Sequence, residues 1–368
     1  MLAAPVLIVE SDDWGYGPPE QATTLRQIAN ALARHHDHNG HPPVMTLGVV
    51  LAGPDTDRIA ADECRQYHRL SLAEPVRTAM IEGARQGVFA LQLHGLEHFW
   101  PPVLLGAVRD PVVREWLSSH PFPATEALPA HLQSRWIDAS TLPSRALPAQ
   151  AIDSAVGQEV TAFEEAFGGG PEVVVPPTFV WTPPVERAWS RDGLRVLVTP
   201  GRRYGSRDAS GKPVQADRGL HNAQLSPSGL TYLVRDDYFE PALGHTAERA
   251  LAALETKNRV GRPTLLETHR TNFLGEPAKV ARSLAELERV LASALARWPR
   301  LRFMSSAELA RHYLERTALI EQRLLPRVHC FLLRLAQVSR LRKLALASGI
   351  ALPAALLWAA TRHSRQAA

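Results

Sequence analysis

Two adjacent carboxylates, Asp12 and Asp13, follow a short apolar run, Pro5 to Val9, that predicts a buried strand. Carboxylates this close repel each other, and neither can be buried without a metal ion, a base or a hydrogen-bond donor beside it. His94 and His98 follow another strand-like run. Histidines four residues apart lie on one face of a helical turn, and with Asp13 they predict a three-ligand divalent metal site, Zn²⁺ being the expected ion.

The strand pattern places further polar residues beside this pair. The predicted strands are 5–9, 44–51, 88–93, 172–175, 194–199, 231–234, 264–268 and 301–304, with helices between most of them. The candidate residues that fall where a strand gives way to a loop are Asp12, Asp13, His94, His98, Thr178, Arg235 and His269. The strands of a parallel barrel end at one rim, where active sites are built. We therefore expect an α/β fold, a (β/α) barrel of seven or eight parallel strands with a helical C-terminal tail.

The same residues predict metal-assisted hydrolysis of an amide or ester. A divalent ion held by the carboxylate and the two histidines acts as a Lewis acid and lowers the pKa of a water. Asp12, next to the ion, is placed to accept the proton of that water. His269 is placed to protonate the leaving group, because histidine titrates near neutral pH. We expect the backbone N–H of Thr178, after Pro176-Pro177, to help stabilise an oxyanion.

The predicted domain organisation is a barrel over 1–314 and a basic, helical tail over 315–368. Within the barrel, 99–150 is predicted as a long loop insertion, a lid or a substrate-binding excursion, because it is rich in proline and loses periodicity. The polar, basic segment 201–219 is predicted as a loop.

The tail differs in charge from the body. From Arg300 onward the chain has 12 Lys and Arg residues against 3 Asp and Glu, whereas the rest has 29 against 34. A mildly acidic body argues against nucleic acid as a partner. Residues 344–361 carry no charge and lie between basic flanks. The tail over 319–365 is therefore expected either to lie at an anionic membrane surface or to pack on the barrel or on a partner protein.

Neither cysteine usage nor the N-terminus indicates an extracellular protein. Cys64 and Cys330 are far apart in the sequence, which predicts two separate thiols rather than a disulfide framework. No signal peptide is apparent, so we expect a cytoplasmic location, with possible peripheral contact at the inner membrane face.

The order of these motifs resembles that of the polysaccharide deacetylase family (NodB homology, carbohydrate esterase family 4). The resemblance covers about 2–313 and consists of Asp-Asp after the first strand, His-x-x-x-His after the third, a Pro-Pro turn and a late strand-end histidine. It implies that Asp12 is the catalytic base, that Asp13 and the two histidines bind the metal, and that His269 is the acid.

One motif departs from the family. The family's Arg-Pro-Pro-Tyr is replaced by Val175-Pro176-Pro177-Thr178, so the arginine that orients the base is missing. We hypothesise that Arg235 or Arg270 replaces it. The runs 235–241 and 269–273 resemble a divergent subgroup of polysaccharide deacetylases found beside surface-polysaccharide genes.

The expected function is removal of an acetyl group from an N- or O-acetylated sugar or polysaccharide precursor. The expected substrate contacts are Trp14, Glu97, Thr178, Arg235, Glu240, Arg270 and Asn272. One alternative is a glycoside hydrolase on a related barrel, which pairs Asp12 or Asp13 with Glu97, Glu240 or Glu267. Another is a degenerate barrel that binds a glycan or serves as a scaffold.

Overall fold

A parallel sheet forms the centre of the molecule in the computed structural model, which describes residues 1–118 and 122–361. Its strands are β1 (Val6–Gly15), β2 (Met45–Val50), β3 (Phe89–Leu93), β4 (Val173–Val174), β5 (Val196–Thr199), β6 (Thr231–Val234), β7 (Thr264–His269) and β8 (Arg302–Phe303). The order is β6-β5-β4-β3-β2-β1-β7, and β8 pairs with the start of β1. The predicted parallel (β/α) barrel of seven or eight strands is confirmed.

The two ends of this sheet are joined by the chain itself. Among the described residues, no backbone pairing links β6 to β7. The chain crosses instead from the end of β6 to Asp237–Tyr238, a short strand that pairs in parallel with β7 at Leu266 and Glu267. Arg235 lies in this crossing, and its fully buried guanidinium reaches carboxylates on both β1 and β7.

The alternation of side chains along the strands divides the interior into layers. Successive residues of a strand point to opposite faces. Leu7 and Val9 of β1 pack against the outer helices, whereas Val6 and Ile8 fill the barrel interior. On the inner face, β1 then continues with Glu10. The interior is therefore apolar at the amino ends of the strands and becomes ionic toward their carboxyl ends.

Helices surround the sheet and follow most of its strands. They are α1 (Gln21–Leu32), α2 (Thr56–Ala61), α3 (Glu74–Arg85), α4 (Pro101–Gly106), α5 (Pro111–Ser118), α6 (Ala149–Phe167), α7 (Pro183–Arg191), α8 (Ala247–Arg259), α9 (Pro277–Arg297) and α10 (Ser306–Glu315). The apolar stripe of α1, with Leu25 and Ile28 fully buried, is typical: it packs on the outward residues of the sheet.

Two segments predicted as loops have regular structure. Residues 99–150 contain α4 and α5 and a small hairpin of Ile137–Asp138 with Arg145–Ala146, and Phe99, Val113 and Trp116 bury a satellite core. The segment 201–219 forms an antiparallel hairpin, Arg202–Arg207 with Pro213–Arg218. Most of this hairpin's side chains are exposed or half-buried. It therefore lacks the apolar alternation by which a strand is recognised in a sequence.

The C-terminal tail is helical, with α11 (Leu324–Gln337), α12 (Ser339–Ala347) and α13 (Ala351–Thr361). Within residues 1–118 and 122–361, no single helix has both the length and the apolar composition needed to cross a bilayer. Helices α12 and α13 reach those values only as a pair, which is bent by 114°.

Candidate active site

Asp13 lies in a bulge of β1 and not beyond its end. The strand continues to Gly15, so the prediction that it ends at Val9 is wrong. The register between β1 and β2 shifts between Ser11 and Trp14, and Asp13 has a φ of 70° there. A left-handed backbone is unusual for a residue with a side chain and is a form of local strain that clusters at functional sites. The bulge turns the Asp13 carboxylate toward the histidines after β3.

His94 and His98 converge on that carboxylate. Oδ1 of Asp13 lies 3.3 Å from Nε2 of His94 and 3.6 Å from Nε2 of His98. The two rings meet edge to face, with centroids 5.0 Å apart. The segment that carries them is irregular, so the predicted helical turn is wrong, and Gly95 permits the bend with a φ of 110°. The predicted metal triad is nonetheless brought together within 4.8 Å.

The surroundings of the triad prepare it for a cation. Nδ1 of His94 donates to the carbonyl of Val175 at 2.8 Å, which directs Nε2 toward Asp13. Burial lowers the pKa of His94, but the charges of Asp12 and Asp13 and the hydrogen bond to Asp13 outweigh it and raise this pKa. Burial is the main reason that the pKa of His98 falls to about 4, so this ring is neutral. Burial alone raises the pKa of Asp13, but the hydrogen bond from His94 and the neighbouring imidazoles outweigh it and lower this pKa. One carboxylate and two imidazoles suit a divalent ion such as Zn²⁺, which would take the place of the proton that His94 shares with Asp13.

Asp12 is held by Arg235. Nη1 and Nη2 of the arginine lie 3.2 and 2.5 Å from the two carboxylate oxygens, and the same guanidinium donates to Glu10 at 3.0 Å and to Glu267 at 3.1 Å. Burial raises the pKa of Asp12, but Arg235 more than offsets it, so the net shift is downward and Asp12 stays ionised. Burial raises the pKa of both Glu10 and Glu267.

His269, at the end of β7, is oriented by a second carboxylate. Nδ1 of His269 lies 2.6 Å from Oε1 of Glu240, and Asn272 donates to the other oxygen of Glu240. Asn272 also donates to the His269 carbonyl at 3.0 Å. Burial lowers the pKa of His269, but Glu240 and the two aspartates raise it more, to about 10. The ring is therefore protonated at neutral pH and can act as an acid.

A cavity of about 430 Å³ opens over these groups. Its lining includes Asp12, Asp13, His94, His98, Thr178, Glu240, Glu267 and His269, and Thr125, Glu126 and Gln133 from the 99–150 segment. Thr178 has a φ of 54°, and its hydroxyl lies 2.8 Å from that of Ser134 in the same segment. The role of the Thr178 N–H toward an oxyanion stays a prediction.

Gly48 on β2 explains how Asp12 fits this site. A Cβ at Gly48 would overlap Oδ1 of Asp12. The absence of a side chain at Gly48 therefore leaves room for the Asp12 carboxylate, which Arg235 holds through both oxygens.

No protein-family model and no curated protein matches the chain. It is similar to a solved family 4 acetyl xylan esterase from Clostridium thermocellum in complex with a cobalt ion, with 12% identity, a TM-score of 0.41 and coverage of 85% of this chain and 93% of the esterase. It is also similar to the peptidoglycan deacetylase PdaC from Bacillus subtilis, with 10% identity, a TM-score of 0.38 and coverage of 86% of this chain and 94% of PdaC. A third similar structure is a 4-α-glucanotransferase from Thermococcus litoralis, with 9% identity, a TM-score of 0.44 and coverage of 86% of this chain and 41% of the transferase. All of these similarities are distant.

Several residues predicted as substrate contacts lie behind the cavity wall. Trp14 is fully buried in the core and donates to Ser11, and Arg235 is fully buried among carboxylates. Asn272 is also fully buried, where it positions Glu240. Arg270 donates to the carbonyl of Tyr16, and its Nε lies 3.6 Å from Glu126. For these four residues the predicted direct contact is wrong, because their polar groups are engaged within the protein; Thr178 and Glu240 do line the cavity.

The predicted substrate contact of Glu97 is also wrong, because this residue belongs to an ionic network under the loop that carries His94 and His98. It is fully buried and pairs with Arg69 at 2.5 Å and with Arg135 at 2.7 Å. Arg135 also binds Glu159 of α6 at 3.1 Å, and Glu159 accepts from the N–H of Leu96 at 3.3 Å. The network fastens the loop that carries His94 and His98 to helix α6. No local sequence signal pairs these positions, so sequence reasoning missed Arg135 and Glu159.

A second group could in principle hold an ion, namely Asp12, Glu267 and His269. Arg235 already occupies both of its carboxylates, and its histidine is protonated. A cation placed there would meet two positive groups. The triad of Asp13, His94 and His98 is therefore the better metal site.

Proposed function

We propose that this protein is a metal-dependent hydrolase that removes an acetyl group from an N- or O-acetylated sugar. One observation carries the proposal. The donor set of Asp13, His94 and His98 shares a cavity with an ionised carboxylate held by an arginine, Asp12, and with a protonated imidazole, His269. Hydrolysis of an amide or ester needs a polarised carbonyl, a base for the water and an acid for the leaving group.

The metal triad fits a divalent cation of the Zn²⁺ type. When bound, such an ion polarises a carbonyl oxygen and lowers the pKa of a water. Asp13 and the two Nε2 atoms supply three ligands, and the cavity leaves space on the open side for water and substrate. His94 is fixed in the tautomer that this role requires by its bond to the Val175 carbonyl.

The protein's own residues divide the proton transfers. Asp12 remains ionised because Arg235 holds it, so it can accept a proton from the attacking water at either carboxylate oxygen. His269 holds a proton at neutral pH and can pass it from Nε2 to the leaving amine or alkoxide. Glu240 keeps Nδ1 of this ring engaged, which points Nε2 away from Glu240.

The lining of the cavity favours a neutral glycan over a phosphorylated one. In the described part of the chain, five lining residues are acidic and none is Lys or Arg. Arg235 is fully buried and its three donor nitrogens already contact carboxylates. Sites that bind phosphate normally offer arginine, lysine or a helix N-terminus. We therefore place uncharged acetylated oligosaccharides ahead of sugar phosphates and nucleotide sugars as substrates.

The test measures bound metal and acetate release on the same preparations of the full chain. We expect the purified protein to retain close to one divalent ion after loading with Zn²⁺, and to release acetate from acetylated neutral oligosaccharides. His98→Ala and Asp13→Asn should lose both properties. His36→Ala changes an exposed histidine outside the site and is the matched control.

Two outcomes would contradict the proposal. One is an unchanged metal content in His98→Ala. The other is acetate release that persists after the metal has been removed by a chelator. Circular dichroism and thermal unfolding show whether each variant has kept its fold.

A further inference from the structure

The tip of the C-terminal tail carries an uncovered apolar surface. Leu344, Leu346, Ile350, Leu352 and Leu356 are each between 60% and 70% exposed. They belong to α12, α13 and the turn between them, and the two helices pack on α11 and on each other. Monomeric soluble proteins rarely expose a contiguous apolar surface of this kind unless it serves an interaction. We propose that this tip docks on an anionic lipid bilayer surface, with the cavity on the far side of the barrel from the membrane.

The charge of the tail identifies the occupant as anionic. After Glu321 the sequence has eight Lys and Arg residues and no Asp or Glu. Arg340, Arg342 and Lys343 are exposed and directly precede the apolar tip. Apolar side chains beside a cluster of basic ones match the two layers of a bilayer surface, acyl chains and anionic headgroups. A purely apolar partner would leave the basic cluster unexplained.

The bend between α12 and α13 suits an interfacial position. The pair is bent by 114°, so it does not form the straight rod that crosses a bilayer. The bend instead leaves an apolar groove of about 570 Å³ between α11, α12 and α13. Trp358 lines the groove and is partly exposed; tryptophan is enriched at the level of lipid headgroups.

The attachment of the tail fixes its side of the barrel. Ala3 donates to the carbonyl of Leu319 at 2.8 Å, and Arg334 donates to the carbonyls of Val260 and Gly261. These contacts lie just before β1 and β7, at the amino ends of the strands. The cavity lies at the carboxyl ends of the same strands. From Val6 to Asp12 the chain advances about 20 Å, at about 3.3 Å per residue, and this length separates the tail contacts from the cavity.

This arrangement has a consequence for the substrate, and that consequence rests on the proposed function. A cavity directed away from the bilayer is badly placed for a sugar attached directly to the lipid on which the protein sits. It is well placed for a glycan that is soluble or that extends away from the surface. The tail would then localise the enzyme, whereas the cavity alone would select the substrate.

Vesicle binding by the full chain tests the docking without any substrate, so its failure would leave the proposed function intact. We expect the protein to sediment with phosphatidylcholine vesicles that contain about 30% phosphatidylglycerol, and not with phosphatidylcholine alone. The triple change Arg340→Gln, Arg342→Gln and Lys343→Gln should weaken binding about a hundredfold, roughly fivefold per charge. Leu352→Ser with Leu356→Ser should also weaken it.

The matched control removes the same charge elsewhere: Arg109→Gln, Arg249→Gln and Arg282→Gln change exposed arginines on the barrel. We expect it to bind as the original protein does. Equal binding by the two triple variants would overturn the docking site.

Hydrogen exchange on the vesicles should show protection in 338–358. Protection around 238–245 and 122–133 instead would overturn the orientation. A tail-dependent dimer in light scattering, without vesicle binding, would identify a second copy of the chain as the occupant and overturn the proposal.

Discussion

Arg235 binds Asp12 across the seam of the barrel, through two nitrogens that lie 3.2 and 2.5 Å from the two carboxylate oxygens. The arginine follows β6 and the aspartate belongs to β1, so one side chain both closes the gap between the sheet ends and fixes the ionised state of the candidate base. Of the two arginines hypothesised from the sequence, the geometry favours Arg235, because the contacts of Arg270 lie elsewhere, at Tyr16 and Glu126.

Arg235→Lys is expected to reduce kcat by about a hundredfold or more with little effect on KM, because a lysine cannot hold both oxygens of Asp12. Arg235→Gln leaves three buried carboxylates without a cation and should also cost about 3–5 kcal/mol of unfolding free energy. Steady-state kinetics and urea unfolding measure the two effects. Arg270→Gln is the control, expected to change kcat less than tenfold; the reverse ranking of the two arginines would refute this assignment.

Glu240→Gln is expected to shift the basic limb of the kcat profile to lower pH. Burial lowers the pKa of His269, but Glu240, together with Asp12 and Asp13, stabilises the protonated ring and raises this pKa to about 10. Removal of the Glu240 charge lowers that pKa, so the acid form is lost earlier as the pH rises. A shift of about one pH unit is expected, since one unit corresponds to about 1.4 kcal/mol of interaction. Gln158→Glu, an exposed change on α6, serves as a control, and an unmoved limb in Glu240→Gln would exclude His269 as the acid.

Gly48→Ala tests the fit between β2 and Asp12. The added methyl group would overlap Oδ1 of Asp12, so the carboxylate must move. We expect kcat to fall at least tenfold while the bound metal is retained, because the triad does not include Asp12. Gly157→Ala in α6 is the matched control: its Cβ meets open space, and the change should stabilise the helix by about 0.5–1 kcal/mol. Equal activity in the two variants would show that Asp12 needs no fixed position.

The barrel and the metal triad could be predicted because their signals are local. Each core strand is a short apolar run, and each candidate ligand follows one of them. The same alternation, followed further along each strand, also predicts the ionic residues on the inner face. Val6, Ile8, Glu10 and Asp12 share one face of β1, and Leu265, Glu267 and His269 share one face of β7. Glu10 is not recognisable from the apolar run as part of the strand, because that run stops at Val9, where the interior changes from apolar to ionic.

Other features had no local signal. The bulge at Asp13 depends on a positive φ at a residue other than glycine, which no sequence pattern specifies. The network of Arg135, Glu97 and Glu159 joins three distant segments. A buried charge is recognisable as paired only when its partner is known, so the sequence predicts a substrate contact for Glu97 instead.

The acidic lining of the cavity is expected to select against negatively charged substrates. Glu126 lies at the cavity, where it is about one-third exposed, and contributes to a lining that includes no lysine or arginine in the described ranges. We expect acetate release from an uncharged acetylated oligosaccharide to be nearly insensitive to a sugar diphosphate added as a competitor. Glu126→Lys should make that competitor at least tenfold more inhibitory, because it places a cation where the lining is acidic. Glu115→Lys, an exposed change on α5, applies the same charge reversal away from the cavity and should have no such effect. Faster hydrolysis of an acetylated sugar phosphate than of its uncharged counterpart would show that the acidic lining does not select the substrate.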